Sequence, residues 1–132
     1  VVAWATYWAV RTFDGVLPQE KMDDEIADIV SVAFVDFDYD DLDYEDCRNR
    51  FDETCQGTVP VALDIILKSD SFEDAIRNAI SIGGDSDTIA AITGSIAEAY
   101  YGVNEEMKET ALSYLDDYLL EIAENFIKKF MK

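Results

Sequence analysis

The feature that most limits what this chain can fold into is the run from Ile89 to Tyr101. Thr93, Ser95 and Glu98 are its only polar side chains apart from the terminal tyrosine hydroxyls. A helix apolar on nearly every side belongs in the middle of a bundle. Its small residues, Ala90, Ala91, Gly94, Ala97 and Ala99, would let neighbouring backbones or a ligand come close, and Gly102 supplies a stop. At the other end stand Gly83-Gly84 and then Asp85-Ser86-Asp87-Thr88. Two carboxylates and a hydroxyl are thereby placed at the start of a buried helix. Taking two carboxylates out of water is unfavourable unless something positive neutralises them. A hard divalent cation would do so, and Mg²⁺ prefers carboxylate, hydroxyl and water oxygens. The free amides of the same helix end would suit a phosphate. The six residues also read as a helix stop followed by an N-cap, with Asp87 merely complementing the helix dipole. Taken alone, they leave both readings open.

The rest of the chain is helical in pattern. Val1 to Phe13 is aromatic and aliphatic almost throughout, with Arg11 as its only charge, and Asp14-Gly15 follows as a turn. Leu17-Pro18 opens a second helical stretch whose apolar face is Ile26, Ile29 and Val30. Val32 to Phe37 is short and β-like. Between Asp36 and Glu53 nine acidic residues interleave with Phe37, Tyr39, Tyr44 and Phe51, which read as anchors of a long irregular segment. From Thr58, a suitable N-cap with Pro60 in the first turn, a helix is expected to run to about Ser69-Asp70. Ser71 caps the next, in which Phe72, Ala75, Ile76 and Ala79 form one face, and Gly83-Gly84 ends it. The last pair covers Asn104 to Tyr114 and Leu115 to Met131, with Met107, Leu112, Leu115, Leu119, Ile122, Phe126 and Phe130 as apolar positions. The expected class is an all-α helical bundle, forming a single domain over 1–132.

Composition removes several functions. Ten basic residues against 29 acidic ones give a net charge of -19, a field that repels nucleic acids and anionic membranes. Most of that charge serves solubility. There is no histidine, so no Ser-His or Cys-His pair and no imidazole base exist. Cys47 and Cys55 lack zinc-ligand spacing and read as reduced, structural thiols. No apolar run approaches the roughly 20 residues that span a bilayer. Val1 to Val10 lacks a basic leader and a cleavage site, so a cytoplasmic location is expected. Chemistry must rest on carboxylates, hydroxyls or a metal held by oxygen.

Four collinear segments carry a resemblance: Cys55-Gln56-Gly57-Thr58-Val59-Pro60; Ser71 to Ile80; Gly83-Gly84-Asp85-Ser86-Asp87-Thr88 with the helix to Gly94; and Ala99-Tyr100-Tyr101-Gly102. They resemble the C-terminal portion of the ADP-ribosylglycohydrolase family. The resemblance implies an all-α fold around a binuclear Mg²⁺ site and hydrolysis of the glycosidic bond between ADP-ribose and an acceptor. It implies Asp85, Asp87 and Thr88 as metal ligands and places Gly83, Gly84 and Ser86 against the bound ligand. It assigns no catalytic residue here. The implied partner is an ADP-ribosylated protein or a small ADP-ribose conjugate.

The family's second half-site comes from an upstream Thr-Asp-Asp, which this chain lacks: Asp23-Asp24 follows Met22 and Asp40-Asp41 follows Tyr39. Of an Ile-Arg-Pro-x-Tyr-x-Phe run usual in bacterial relatives, only Phe51 survives. The expectation is therefore a truncated chain without the N-terminal half, whose exposed core face a second copy or the missing half would cover. The alternative function is a non-catalytic acidic interaction module or a binder of ADP-ribose or another nucleotide. Tyr100 and Tyr101 read as core, Glu98 as exposed, and Cys55 as inert.

Overall fold

Helix α1, Val2–Phe13, turns the apolar N-terminal run into one side of a helical packing, with Ala5 and Ala9 fully inside. The structure, a computed structural model, describes residues 2–13, 15, 16, 18, 21, 24–28 and 42–130. Among them every regular element is helical, as the sequence pattern requires. Residues 24–28 are helical and bury Ile26, whereas Ile29, Val30 and the β-like stretch at 32–37 lie outside the described residues. No helix among the described residues is long and apolar enough to cross a membrane.

Helix α2, Cys55–Leu67, begins earlier than the Thr58 start expected from the sequence. Thr54, not Thr58, is the N-cap: its hydroxyl accepts from the Gly57 amide at 3.1 Å. Its own proton goes to Asp52 Oδ1, 2.6 Å away. Thr58 is left inside the helix, its hydroxyl donating back to the Thr54 carbonyl at 2.9 Å. Pro60 consequently lies in the helix interior rather than in its first turn. It costs the helix the amide that would bond back to Gln56, a loss that deep burial of Leu63, Ile65 and Ile66 offsets at about 1.5–3 kcal/mol per side chain.

Helix α3, Phe72–Ser81, follows the sequence expectation at both ends. Ser71 accepts from the Asp74 amide at 3.1 Å, and Glu73 pairs with Arg77 one turn on at 2.6 Å. Helix α4, Ser86–Tyr101, is central, packing against α1, α2 and α3. Gly94 explains one close approach: a Cβ there would stand 3.0 Å from Ile76 Cδ1 of α3. Two apolar clusters meet along α4, one holding Leu63, Ile66, Ile96 and Ala97, the other Ile65, Ile82 and Ile89. The expectation of a helix enclosed on nearly all sides needs correction. Asp87, Thr88, Ala91, Ser95 and Glu98 form an exposed stripe at helical spacing, because the neighbouring helices among the described residues cover only part of the cylinder. Gly102 does stop the helix, but at φ 70° and ψ 167°, an extended left-handed conformation open to glycine rather than an αL cap.

The chain divides into two compact units, Val1–Gly102 and Val103–Lys132. In the second, α5 spans Glu105–Ser113 and is capped by Asn104, whose Oδ1 accepts from the Met107 amide at 2.8 Å. Helix α6, Asp117–Phe130, starts two residues later than Leu115 because the Asp116 carboxylate caps it, accepting from the Leu119 amide at 2.8 Å. Leu119, Ile122, Phe126 and Phe130 are exposed on it.

Candidate functional site

The site grows from the turn between α3 and α4. Gly83 and Gly84 adopt φ of 73° and 63°, values at which a side chain is strained. They are glycine for a second reason. A Cβ on Gly84 would stand 2.1 Å from the Arg50 carbonyl oxygen, and one on Gly83 would stand 2.5 Å from Asn49 Oδ1. The segment 48–51 is thus laid directly against the turn. The Asn49 amide donates to the Ile82 carbonyl at 2.6 Å, and the Arg48 guanidinium donates to the Ser81 carbonyl at 2.6 Å.

Asp85 follows the turn and occupies the N-cap of α4, only 8% exposed. Unlike Thr54, Ser71 and Asn104 at their helices, it makes no side-chain cap hydrogen bond. Its Oδ1 instead accepts from the Thr88 hydroxyl at 3.0 Å. The structure therefore brings Asp85 and Thr88 together, with Asp87 exposed on the same first turn and Ser86 half-buried between them. The donor set is two carboxylates and a hydroxyl, all hard oxygen. With its proton directed at Asp85, Thr88 keeps its oxygen lone pairs for a cation, and the uncapped amides of the turn keep their hydrogens for an anion. The residues fit Mg²⁺ in chemistry. Among the described residues no group of three or more His, Cys, Asp or Glu side chains is gathered to hold a metal.

Sequence reasoning missed the segment behind the turn. Asn49 sits at φ 61°, a conformation asparagine tolerates best among residues with side chains, and that was the available signal. Beyond it, Arg50, Asp52, Gln56 and Gly57 with Leu42, Cys47 and Val61 line a cavity of about 310 Å³. Hydrogen bonds from the Thr54 hydroxyl and amide hold the Asp52 carboxyl below the usual carboxylate range. Burial pushes the Cys47 thiol up, which suits an inert cysteine, and both cysteines are free. Phe51 is 66% exposed and anchors nothing, whereas Tyr44 packs against the Ile65 and Ile82 cluster. Tyr100 is core, as expected, and the Tyr101 hydroxyl reaches the carbonyls of Ile66, at 2.9 Å, and Ser69. Glu98 is exposed. Phe37 and Tyr39 lie outside the described residues.

The chain belongs to the ADP-ribosylglycohydrolase family, whose model matches residues 1–132. It is 38% identical over 74 residues to a putative ADP-ribosyl glycohydrolase of Acanthamoeba polyphaga mimivirus, a match covering 51% of this chain and 22% of that protein. It is 44% identical over 45 residues to the ADP-ribosylarginine hydrolase Tri1 of Serratia proteamaculans, covering 34% of this chain and 12% of that one. The matches span less than a quarter of either relative's length. No solved structure matches.

Proposed function

We propose that this chain carries the C-terminal half-site of an ADP-ribosyl glycohydrolase, in which Asp85, Asp87 and Thr88 hold Mg²⁺. The observation that carries the reading is the disposition of Asp85: a buried N-cap carboxylate that leaves its own helix amides uncapped and pairs with Thr88. A structural N-cap would do the reverse. When bound, Mg²⁺ would supply Lewis-acid stabilisation and orientation of the ribose at the glycosidic bond. The chain's own residues have separate tasks. Asp85 and Asp87 provide negative charge, Thr88 orients Asp85, and the amides at the head of α4, which no cap side chain takes, would suit a phosphate-bearing ligand, while Gly83 and Gly84 admit segment 48–51. The substrate class is an ADP-ribosylated protein or a small ADP-ribose conjugate, in line with family membership and the relatives' names.

A second reading, a module that binds ADP-ribose or a basic partner without hydrolysis, is favoured by the absence of a three-ligand cluster among the described residues. Calorimetric titration of the chain with Mg²⁺ and ADP-ribose distinguishes them. Under the first reading Mg²⁺ binds, and Asp85→Ala or Asp87→Ala weakens it by at least about 10-fold, the scale of even indirect ligand losses, while helical circular dichroism persists. ADP-ribose binding indifferent to Mg²⁺ supports the second. No Mg²⁺ binding by the unmutated chain refutes the half-site.

A further inference from the structure

The turn at Gly83–Gly84 is held from outside, and what holds it is itself held by an ion pair whose carboxylate is buried and whose lysine is half-exposed. Asp64 on α2 is 5% exposed, and a carboxylate so placed requires close, well-aligned partners. One oxygen, Oδ2, accepts both from the Tyr44 amide at 2.9 Å and from the Lys68 ammonium at 2.9 Å. Lys68 extends the contact to Asp43 at 3.4 Å and to the Leu42 carbonyl at 3.4 Å, and its ammonium stands 5.7 Å over the Tyr44 ring. These bonds fix the leading end of the 3₁₀ turn Tyr44–Cys47. Its trailing end continues into Arg48 and Asn49, which donate to the carbonyls of Ser81 and Ile82, and Arg50; Asn49 and Arg50 lie where a Cβ on Gly83 or Gly84 would stand.

We infer that Asp64, clamped by Lys68, is a positioning residue for the Gly83–Thr88 site. It acts through a chain of rigid contacts: α2 to the 3₁₀ turn, the turn to segment 48–51, that segment to the glycine turn, and the turn to Asp85. The geometry gives the acidic stretch after Leu42 a specific task, as a brace that sets where the Asp85 carboxylate stands. Arrangements that orient ligand-bearing groups through a second layer of hydrogen bonds tune affinity without touching the ligand. Burial lowers the proton affinity of Lys68, but the Asp64 hydrogen bond and the charges of Asp64 and Asp43 outweigh it, so the net pKa is raised and the clamp stays charged at neutral pH.

The inference rests on the reading of Asp85, Asp87 and Thr88 as metal ligands, and the test separates the two. Asp64→Asn keeps the shape and an oxygen for the Tyr44 amide but removes the charge that holds Lys68. Lys68→Met, at a half-exposed position, is the second variant. Residue-resolved amide exchange is measured on the full chain, together with Mg²⁺ titration, and Leu63→Ala on the same helix serves as the control. Both clamp variants are expected to speed exchange about 10-fold at the amides of Asn49 and of 83–87 while the rest of Val1–Gly102 is unchanged, a local opening below the global one. Mg²⁺ affinity is expected to fall about 10-fold, the lower end of outer-layer effects. Leu63→Ala should instead speed exchange throughout the unit. Unchanged exchange at 83–87 in both clamp variants, or uniform acceleration like that of Leu63→Ala, overturns the positioning role. If the unmutated chain binds no Mg²⁺, the metal reading falls, and the exchange pattern alone decides the brace.

Discussion

Gly84→Ala against Gly15→Ala isolates how tightly segment 48–51 is laid on the functional turn. Both glycines have positive φ, +63° and +68°. An alanine at either position therefore meets the left-handed penalty of about 1–2 kcal/mol. They differ in surroundings. A Cβ at Gly15 meets nothing within 4 Å, whereas one at Gly84 stands 2.1 Å from the Arg50 carbonyl oxygen, 2.7 Å from its carbon and 3.3 Å from the Phe51 nitrogen. Those atoms are backbone and have no rotamer to escape into. Forcing them back resembles overpacking, at about 1–3 kcal/mol. Gly15→Ala should therefore cost about 1–2 kcal/mol and Gly84→Ala about 2–5 kcal/mol, summing the two effects. Against a typical total stability of about 5–15 kcal/mol, the second is a large fraction. Urea unfolding followed by helical circular dichroism measures both, with the slope checked for constancy so that a midpoint shift reads as stability. If the two variants differ by less than about 0.5 kcal/mol, the scale of an ordinary surface change, the close apposition of Arg50 and Gly84 is refuted.

Leu63→Ala removes a fully buried side chain from the cluster joining α1, α2 and α4, and should cost about 2–5 kcal/mol in the same unfolding assay. Ser71→Ala deletes the oxygen that accepts the Asp74 amide and should cost about 1 kcal/mol, with Ser71→Gly costing less. Asp52 contributes in a defined pH range. Its carboxyl is held below its ordinary value by the Thr54 hydroxyl and amide and by Arg50, so its contribution is present above about pH 4 and is lost as pH falls through the folded value. Asp52→Asn should therefore flatten that part of the acid-unfolding curve, measured as melting temperature against pH, and an unchanged curve would contradict the assignment.

Helix identity was legible in the sequence because local chemistry decides it. Ser71 and Asn104 mark ends by accepting from amides a few residues away, and the glycines at 83, 84 and 102 mark them by positive φ. The motif Gly83 to Thr88 was legible for the same reason, since cap, turn and carboxylates are adjacent in the chain. The start of α2 was misread at Thr58 because two threonines compete for the cap. Asp52 settles the matter by taking the Thr54 proton, a contact that local propensity does not weigh. Enclosure of α4 was overestimated because a one-dimensional pattern counts apolar residues but not the neighbours present to cover them. Among the described residues, the helices packed on α4 leave Thr88, Ala91, Ser95 and Glu98 in the open.

The sequence by itself determined the all-helical class, the central place of α4 and the residues at its head. Only the tertiary structure decided that a segment more than 30 residues upstream closes on the two glycines, and that Asp64 takes the Tyr44 amide. The physical reason is distance along the chain. Caps and periodicity act within a helical turn, whereas the contact of Arg50 with Gly84 and the bond from Tyr44 to Asp64 depend on how separate elements dock.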